Sequence, residues 1–246
     1  IWTSRRRITA SGNGDMAASA AYAPVGRFGR HRGLVLRILS AAVLGPLLLA
    51  AIWFGFPWFD LVAAVAAPLL ISEWLALTRE RLLLRLLSIA YTLAAIVALL
   101  WLRHQPGDGR ETIIWIVACI WATDVGAYAV GRAAGGAKLA PRISPGKTWS
   151  GLVGGMAWAA VASSAVGYAF GLGHTFALAA VGAALAVVGQ AGDLLESAAK
   201  RRAGVKDSGT LIPGHGGLLD RVDGLLAVLV VVALTRLVAG GGWPWT

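Results

Sequence analysis

Seven apolar runs, most of them close to the length that crosses a bilayer, constrain this chain more than any other feature. They cover about Leu34 to Phe56, Phe59 to Leu77, Leu82 to Leu102, Thr112 to Gly131, Trp149 to Leu172, Thr175 to Gln190 and Val222 to Ala239. A helix of roughly 20 such residues spans a hydrocarbon layer about 30 Å thick. With 57% hydrophobic and only 14% charged residues, and a mean hydropathy of +0.70, the chain reads as an integral membrane protein rather than a soluble domain. The expected fold class is all-α: a polytopic membrane protein with about seven transmembrane helices.

The basic residues set the expected orientation. Taken loop by loop on alternate sides, nineteen Lys and Arg fall on the side of the N-terminus and three, Arg103, Arg110 and Arg236, on the other. Basic loops stay in the cytoplasm, which predicts a cytoplasmic N-terminus and a C-terminus outside, with Trp243 and Trp245 at an interface. The net charge of +10 does not point to nucleic acid, because the basic residues form short clusters between apolar runs rather than one stripe. The single cysteine, Cys119, excludes an intrachain disulfide. Residues 1–33 read as a disordered basic tail, with no apolar segment placed for a cleavable signal. Residues 34–110 read as N-terminal membrane helices, and 111–246 as the membrane region that carries chemistry.

That chemistry concentrates between Gly192 and Asp223. The stretch holds five of the twelve carboxylates, Asp193, Glu196, Asp207, Asp220 and Asp223, and five of the twenty-two Lys/Arg. If the sixth helix continues beyond its apolar run, Asp193, Glu196 and Lys200 fall at i, i+3 and i+7 on one face. Asp220 and Asp223 are likewise i, i+3 at the start of the seventh helix, where the helix dipole favours carboxylates. Two acidic pairs on neighbouring helix ends could hold a hard divalent cation through oxygen.

Other polar positions have two readings each. Asp124 lies within the fourth run, where a carboxylate costs at least about 2.5 kcal/mol unless it is paired or metal-bound; a protonated packing contact is its structural reading. Glu73, at the cytoplasmic end of the second run, could simply snorkel to the interface. Gly151, Gly154 and Gly155 form a small-residue face suited to helix packing. The segment from Lys138 to Thr148 contains Gly146-Lys147-Thr148, but Pro141 stands where a phosphate-binding loop needs its first glycine, and that motif is rejected. Ser144, Lys147 and Thr148 at the start of a helix would still offer a cation, hydroxyls and free N–H groups to an anion.

Carboxylates, clustered Lys/Arg and a glycine-rich loop, without a Ser-His-Asp array, point to phosphoryl or nucleotidyl transfer. At the headgroup level, the substrates would be a lipid phosphate and a soluble nucleotide. Ser197-Ala-Ala-Lys200-Arg201, Lys206-Asp207-Ser208-Gly209, Leu211-Ile-Pro213-Gly-His215-Gly-Gly217 and Asp220-Arg221-Val-Asp223 together resemble the signature of the phosphatidate cytidylyltransferases, or CDP-diacylglycerol synthases. Asp124-Val-Gly-Ala-Tyr128 with Gly131-Arg132, and Ser144-Pro-Gly-Lys147-Thr148-Trp149, look like the same family, so the resemblance covers about Ile113 to Leu226, while the N-terminal spans match only in hydrophobic character and in Glu73. Two departures are Ser150, where relatives carry Glu or Gln, and an N-terminal half short by about one helical hairpin.

The resemblance implies transfer of CMP from CTP to phosphatidate, giving CDP-diacylglycerol and pyrophosphate in phospholipid biosynthesis. It also implies a bacterial inner membrane location, surrounding membrane lipids and a homodimer as one oligomeric option, while the division of Lys and Arg puts the site on the cytoplasmic side. On this reading Asp193 and Asp220, helped by Asp124 or Asp223, hold Mg²⁺, with a second cation nearby. Lys200, Arg201, Lys206 and Arg221 screen phosphates; Ser144 and Lys147, with Thr148, hold the lipid or nucleotide phosphate; Glu196, Ser197, Asp207 and His215 complete the substrate site. Rival readings are an ion-coupled transporter with Asp124 as its intramembrane carboxylate, a structural lipid-binding protein, and a lipid kinase-like enzyme that cleaves CTP at the γ-phosphate.

Overall fold

The computed structural model describes residues 27–171, 174–212 and 216–240. Among them are seven helices: α1 (Arg27–Phe54), α2 (Trp58–Leu77), α3 (Leu82–Arg103), α4 (Gly109–Ala134), α5 (Trp149–Ala169), α6 (Thr175–Arg202) and α7 (Leu219–Val238). Five of them, α2 to α6, are long and apolar enough to cross a membrane. The first helix has a shorter apolar stretch, Ala42–Phe54, and α7 carries Asp220, Arg221, Asp223 and Arg236 near its ends. Many large apolar side chains on the helices point outward, among them Leu83, Val97, Val153 and Val161. In water such a surface would aggregate; in lipid it is matched to its surroundings.

Two expectations are corrected. Residues 27–33, assigned to a disordered tail, are the first two turns of α1; a basic segment continuous with an apolar helix extends its hydrogen-bond ladder at little cost. The remainder of that tail, together with Trp243 and Trp245, lies outside the described residues. Second, within this all-α fold the segment before α5, expected to open a helix, is extended. Lys138–Ala140 (β1) and Ser144–Thr148 (β2) form an antiparallel hairpin with Lys138 opposite Thr148 and Ala140 opposite Ser144. Ser144 and Lys147 therefore stand on a strand rather than in a first helical turn. Thr148 is the N-cap of α5, its hydroxyl oxygen accepting the Gly151 N–H at 3.0 Å.

Lipid supplies no hydrophobic force between helices, so close backbone approach must do the work. Small residues make it possible. A Cβ on Gly155 would stand 3.0 Å from the Thr123 carbonyl oxygen, and one on Gly151 3.0 Å from that of Ala127, which makes the small face of α5 a packing seam against α4. Trp115 in α4 donates from Nε1 to Ser163 Oγ in α5 at 2.7 Å, and Ser163 donates on to the Leu178 carbonyl of α6 at 2.5 Å. Both side chains in this relay are fully buried, and the three helices around the site are thereby fixed to one another. At the end remote from the signature stretch, Arg236 of α7 pairs with Asp108 at 2.8 Å, and Arg103 donates to the Ile52 carbonyl at 3.1 Å.

Candidate active site

The sixth helix does run past its apolar part, to Arg202, so Asp193, Glu196 and Lys200 share a face as their spacing requires. What brings α7 against that face is a glycine contact. A Cβ on Gly192 would lie 2.8 Å from the Asp223 carbonyl oxygen, and one on Gly224 3.0 Å from the Gly189 carbonyl oxygen. With the backbones this close, one carboxylate oxygen from each of Asp193, Glu196 and Asp223 lies within 4.8 Å of the others. Glu196 is 1% exposed, and among the described residues its Oε1 has no hydrogen-bond donor. A buried carboxylate oxygen facing two more carboxylates fits a hard cation.

Two lysines offset the cluster. Lys147, delivered by β2, places Nζ 2.5 Å from Asp193 Oδ2 in an ion pair. Lys200 Nζ sits 2.7 Å from Glu196 Oε2 and 2.6 Å from Asp220 Oδ1. Asp220 Oδ2 accepts the N–H groups of Ser208 at 3.0 Å and Gly217 at 2.9 Å. Asp220 stands just ahead of the seventh apolar run. Burial alone would raise its carboxyl, but Lys200 and those two N–H groups outweigh burial and hold it below the usual carboxylate range. Ser197 Oγ donates to Asp193 Oδ1 at 3.2 Å.

Two cavities meet here. One, of about 450 Å³, is lined by Asp124, Gln190, Asp193, Asp220, Arg221 and Asp223 among others. The second, of about 530 Å³, is lined by Tyr128, Arg132, Lys138, Lys147 and Thr148 among others. Asp124, Gln190 and Asp193 line both. The four carboxylates expected to hold metal thus surround one cavity, although Asp220 is the one whose two oxygens are already taken, and Glu196 joins the convergent cluster instead.

The other expected residues fall in different places. Lys200 lines neither cavity and bridges Glu196 to Asp220. Arg201 donates to the Ile143 carbonyl at 3.2 Å and the Val205 carbonyl at 3.0 Å, tying the hairpin to the end of α6. Lys206 and Asp207 are exposed, and Ser144 is half-buried. His215 lies outside the described residues. Two contributors were not anticipated, and a third, Glu73, was left between two readings. Gln190, placed at the edge of an apolar run, faces both cavities. Ser150 donates to the Gly135 carbonyl and lies 3.0 Å from the Thr148 hydroxyl, closing the hairpin onto α5. Glu73 reaches the loop before α7 from a helix more than a hundred residues away; no local pattern could signal that contact.

Comparison with known proteins accords with this arrangement. The model of the cytidylyltransferase family matches residues 79–238. The chain is 35% identical to the phosphatidate cytidylyltransferase of Brucella suis over 249 positions, covering 82% of this chain and 92% of that protein. It is 35% identical to that of Rickettsia bellii over 201 positions, covering 78% and 86%. It is 46% identical to that of Pseudomonas aeruginosa over 134 positions, covering 54% and 49%.

Proposed function

The chain belongs to the cytidylyltransferase family, and from that membership we propose that it transfers CMP from CTP to phosphatidate, releasing pyrophosphate and leaving CDP-diacylglycerol. The observation that carries this reading is the carboxylate cluster at the junction of two cavities: a two-substrate transfer needs two binding spaces that meet where the reacting atoms meet. Nothing in the site or among the relatives favours the ion-coupled transporter.

The lipid phosphomonoester is largely dianionic near neutral pH and needs no strong base to attack the α-phosphorus of CTP. The obstacle is repulsion between two anions. Asp193, Glu196 and Asp223 would hold Mg²⁺, with Asp124 and Asp220 on the wall of the same cavity and room for the second cation the family resemblance implies. When bound, the metal neutralises phosphate charge and favours departure of pyrophosphate. The chain's own cations do the rest: Arg221 lines one cavity, and Arg132, Lys138 and Lys147 line the other. These groups screen and orient phosphates at fixed positions, as phosphoryl and nucleotidyl transfer demands. The full arrangement proposed is seven spans in a bacterial inner membrane, N-terminus and site on the cytoplasmic side, which the nineteen-to-three division of Lys and Arg supports.

The test is direct. Purified protein in detergent receives phosphatidate, Mg²⁺ and CTP labelled at the α-phosphate, and label is followed into the organic phase. Label in lipid that vanishes with EDTA and in Asp193→Asn is the expected result. Release of γ-phosphate with no label in lipid would assign the chain to a kinase-like reaction instead.

A further inference from the structure

Glu73 sits in α2, far in sequence from the signature stretch, and is 7% exposed. Its Oε2 accepts the Ser208 hydroxyl at 2.8 Å and the Leu219 N–H at 2.8 Å, and its Oε1 accepts the Leu218 N–H at 2.9 Å. Among the described residues no Lys or Arg forms an ion pair with it. The donors that satisfy it are two backbone N–H groups at the first turn of α7, where the helix dipole is positive, and one hydroxyl from the other limb of the same loop. A carboxylate that only snorkelled to the interface would be exposed. This one is inserted between two limbs of chain, so closely that a Cβ on Gly217 would stand 2.5 Å from its Oε2 and one on Gly209 2.8 Å from its Oε1.

The same limbs hold Asp220. Ser208 gives its hydroxyl to Glu73 and its N–H to Asp220 Oδ2, and Gly217 gives its N–H to that oxygen too. With Oδ2 held, Oδ1 faces Lys200 at 2.6 Å. Resting on the function proposed above, we propose that Glu73 is a positioning residue for cytidylyl transfer: it clasps both limbs of the 208–219 loop and so sets Asp220, and through it Lys200 and Glu196, at the metal cluster.

Glu73→Gln tests this without leaving a cavity. An amide has one acceptor oxygen for donors that now approach two, so its NH₂ must face either Leu218 N–H or Leu219 N–H. Turnover with labelled CTP is measured beside amide hydrogen exchange in detergent and the thermal midpoint. The clasp predicts a kcat loss of about 10- to 100-fold, the range for a group that orients metal ligands, with KM for CTP little changed. Exchange should quicken over 208–212 and 216–219 and stay at wild-type rates in the core of α4 to α6. Ser208→Ala, which removes one of the three donors, should give a smaller loss of the same kind. Wild-type kcat in Glu73→Gln would overturn the proposal. So would exchange that quickens throughout the helices, since that marks a merely structural residue. If the wild-type protein moves no label into lipid, the proposed function fails, whereas quickened exchange confined to the loop in Glu73→Gln would still establish the clasp.

Discussion

Gly192→Ala puts one methyl group into the contact that joins α6 to α7, and its effect can be worked from the distances. The new Cβ would lie 2.8 Å from both the Asp223 carbonyl oxygen and the Ala227 Cβ, and 3.2 Å from the Gly224 Cα. Non-bonded carbons settle at about 3.5 to 4.0 Å, so the two helices must part by about 0.7 Å or more at this level. Two of the colliding neighbours are backbone atoms, which cannot swing aside. Overpacking of this kind costs about 1–3 kcal/mol of stability, which a folded membrane protein survives. The functional cost is larger. Asp193 and Asp223 flank the contact, and metal–ligand distances tolerate only about 0.2 Å. Misplacement by about 1 Å can cost on the order of 100-fold in rate. Gly192→Ala should therefore lower transfer of label from α-labelled CTP by about 10- to 100-fold and raise the Mg²⁺ concentration for half-maximal rate. Gly45→Ala is the control, because a Cβ there meets nothing within 4 Å among the described residues. Equal rates and equal Mg²⁺ dependence in the two variants would refute the argument that this glycine contact sets the carboxylate separation.

Asp223→Asn and Asp220→Asn should both abolish transfer but differ in stability. The first relieves repulsion among three convergent carboxylates, so its thermal midpoint in detergent should equal or exceed wild type. The second strips a buried Lys200 of a partner 2.6 Å away, and breaking a buried pair costs about 3–5 kcal/mol; the reverse order of midpoints would contradict the assignment of roles. At the opposite end, Arg236→Met leaves Asp108 without its 2.8 Å partner and should lower the midpoint with kcat and KM unchanged, while adding Asp108→Leu should recover much of the loss. A changed KM for either substrate would show that this pair communicates with the site.

The helices were legible because a bilayer imposes one length on every span. The acidic face of α6 was legible because the spacing of Asp193, Glu196 and Lys200 has meaning only if the helix continues. The hairpin was not: three and five residues with Pro145 inside them carry too little pattern to compete with a loop. Nor was the membership of the carboxylate cluster. Five carboxylates lie between Asp193 and Asp223, and which of them converge depends on how α7 is rotated against α6, a tertiary quantity fixed by Gly189, Gly192 and Gly224. Lys200, counted from sequence as a phosphate-screening cation, bridges two carboxylates because both lie within its reach once α7 has docked.

Glycines and carboxylates in this chain are therefore parts of one device. Three carboxylates would not gather unaided, since their repulsion grows as water is excluded. The force that brings them together is packing along the α6–α7 seam, and the small residues are needed because lipid offers helices no reward for burying apolar side chains against each other. Lys147 and Lys200 offset part of the repulsion from either side. The seam continues into buried side chains of α7, with Leu226, Val228 and Leu229 almost fully enclosed, so the carboxylates are held by elements whose packing does not depend on the metal. It follows that removal of Mg²⁺ should stop transfer while leaving the helices docked. A thermal midpoint that fell as far with EDTA as with Gly192→Ala would show instead that the cation, and not the glycine seam, holds α7 in place.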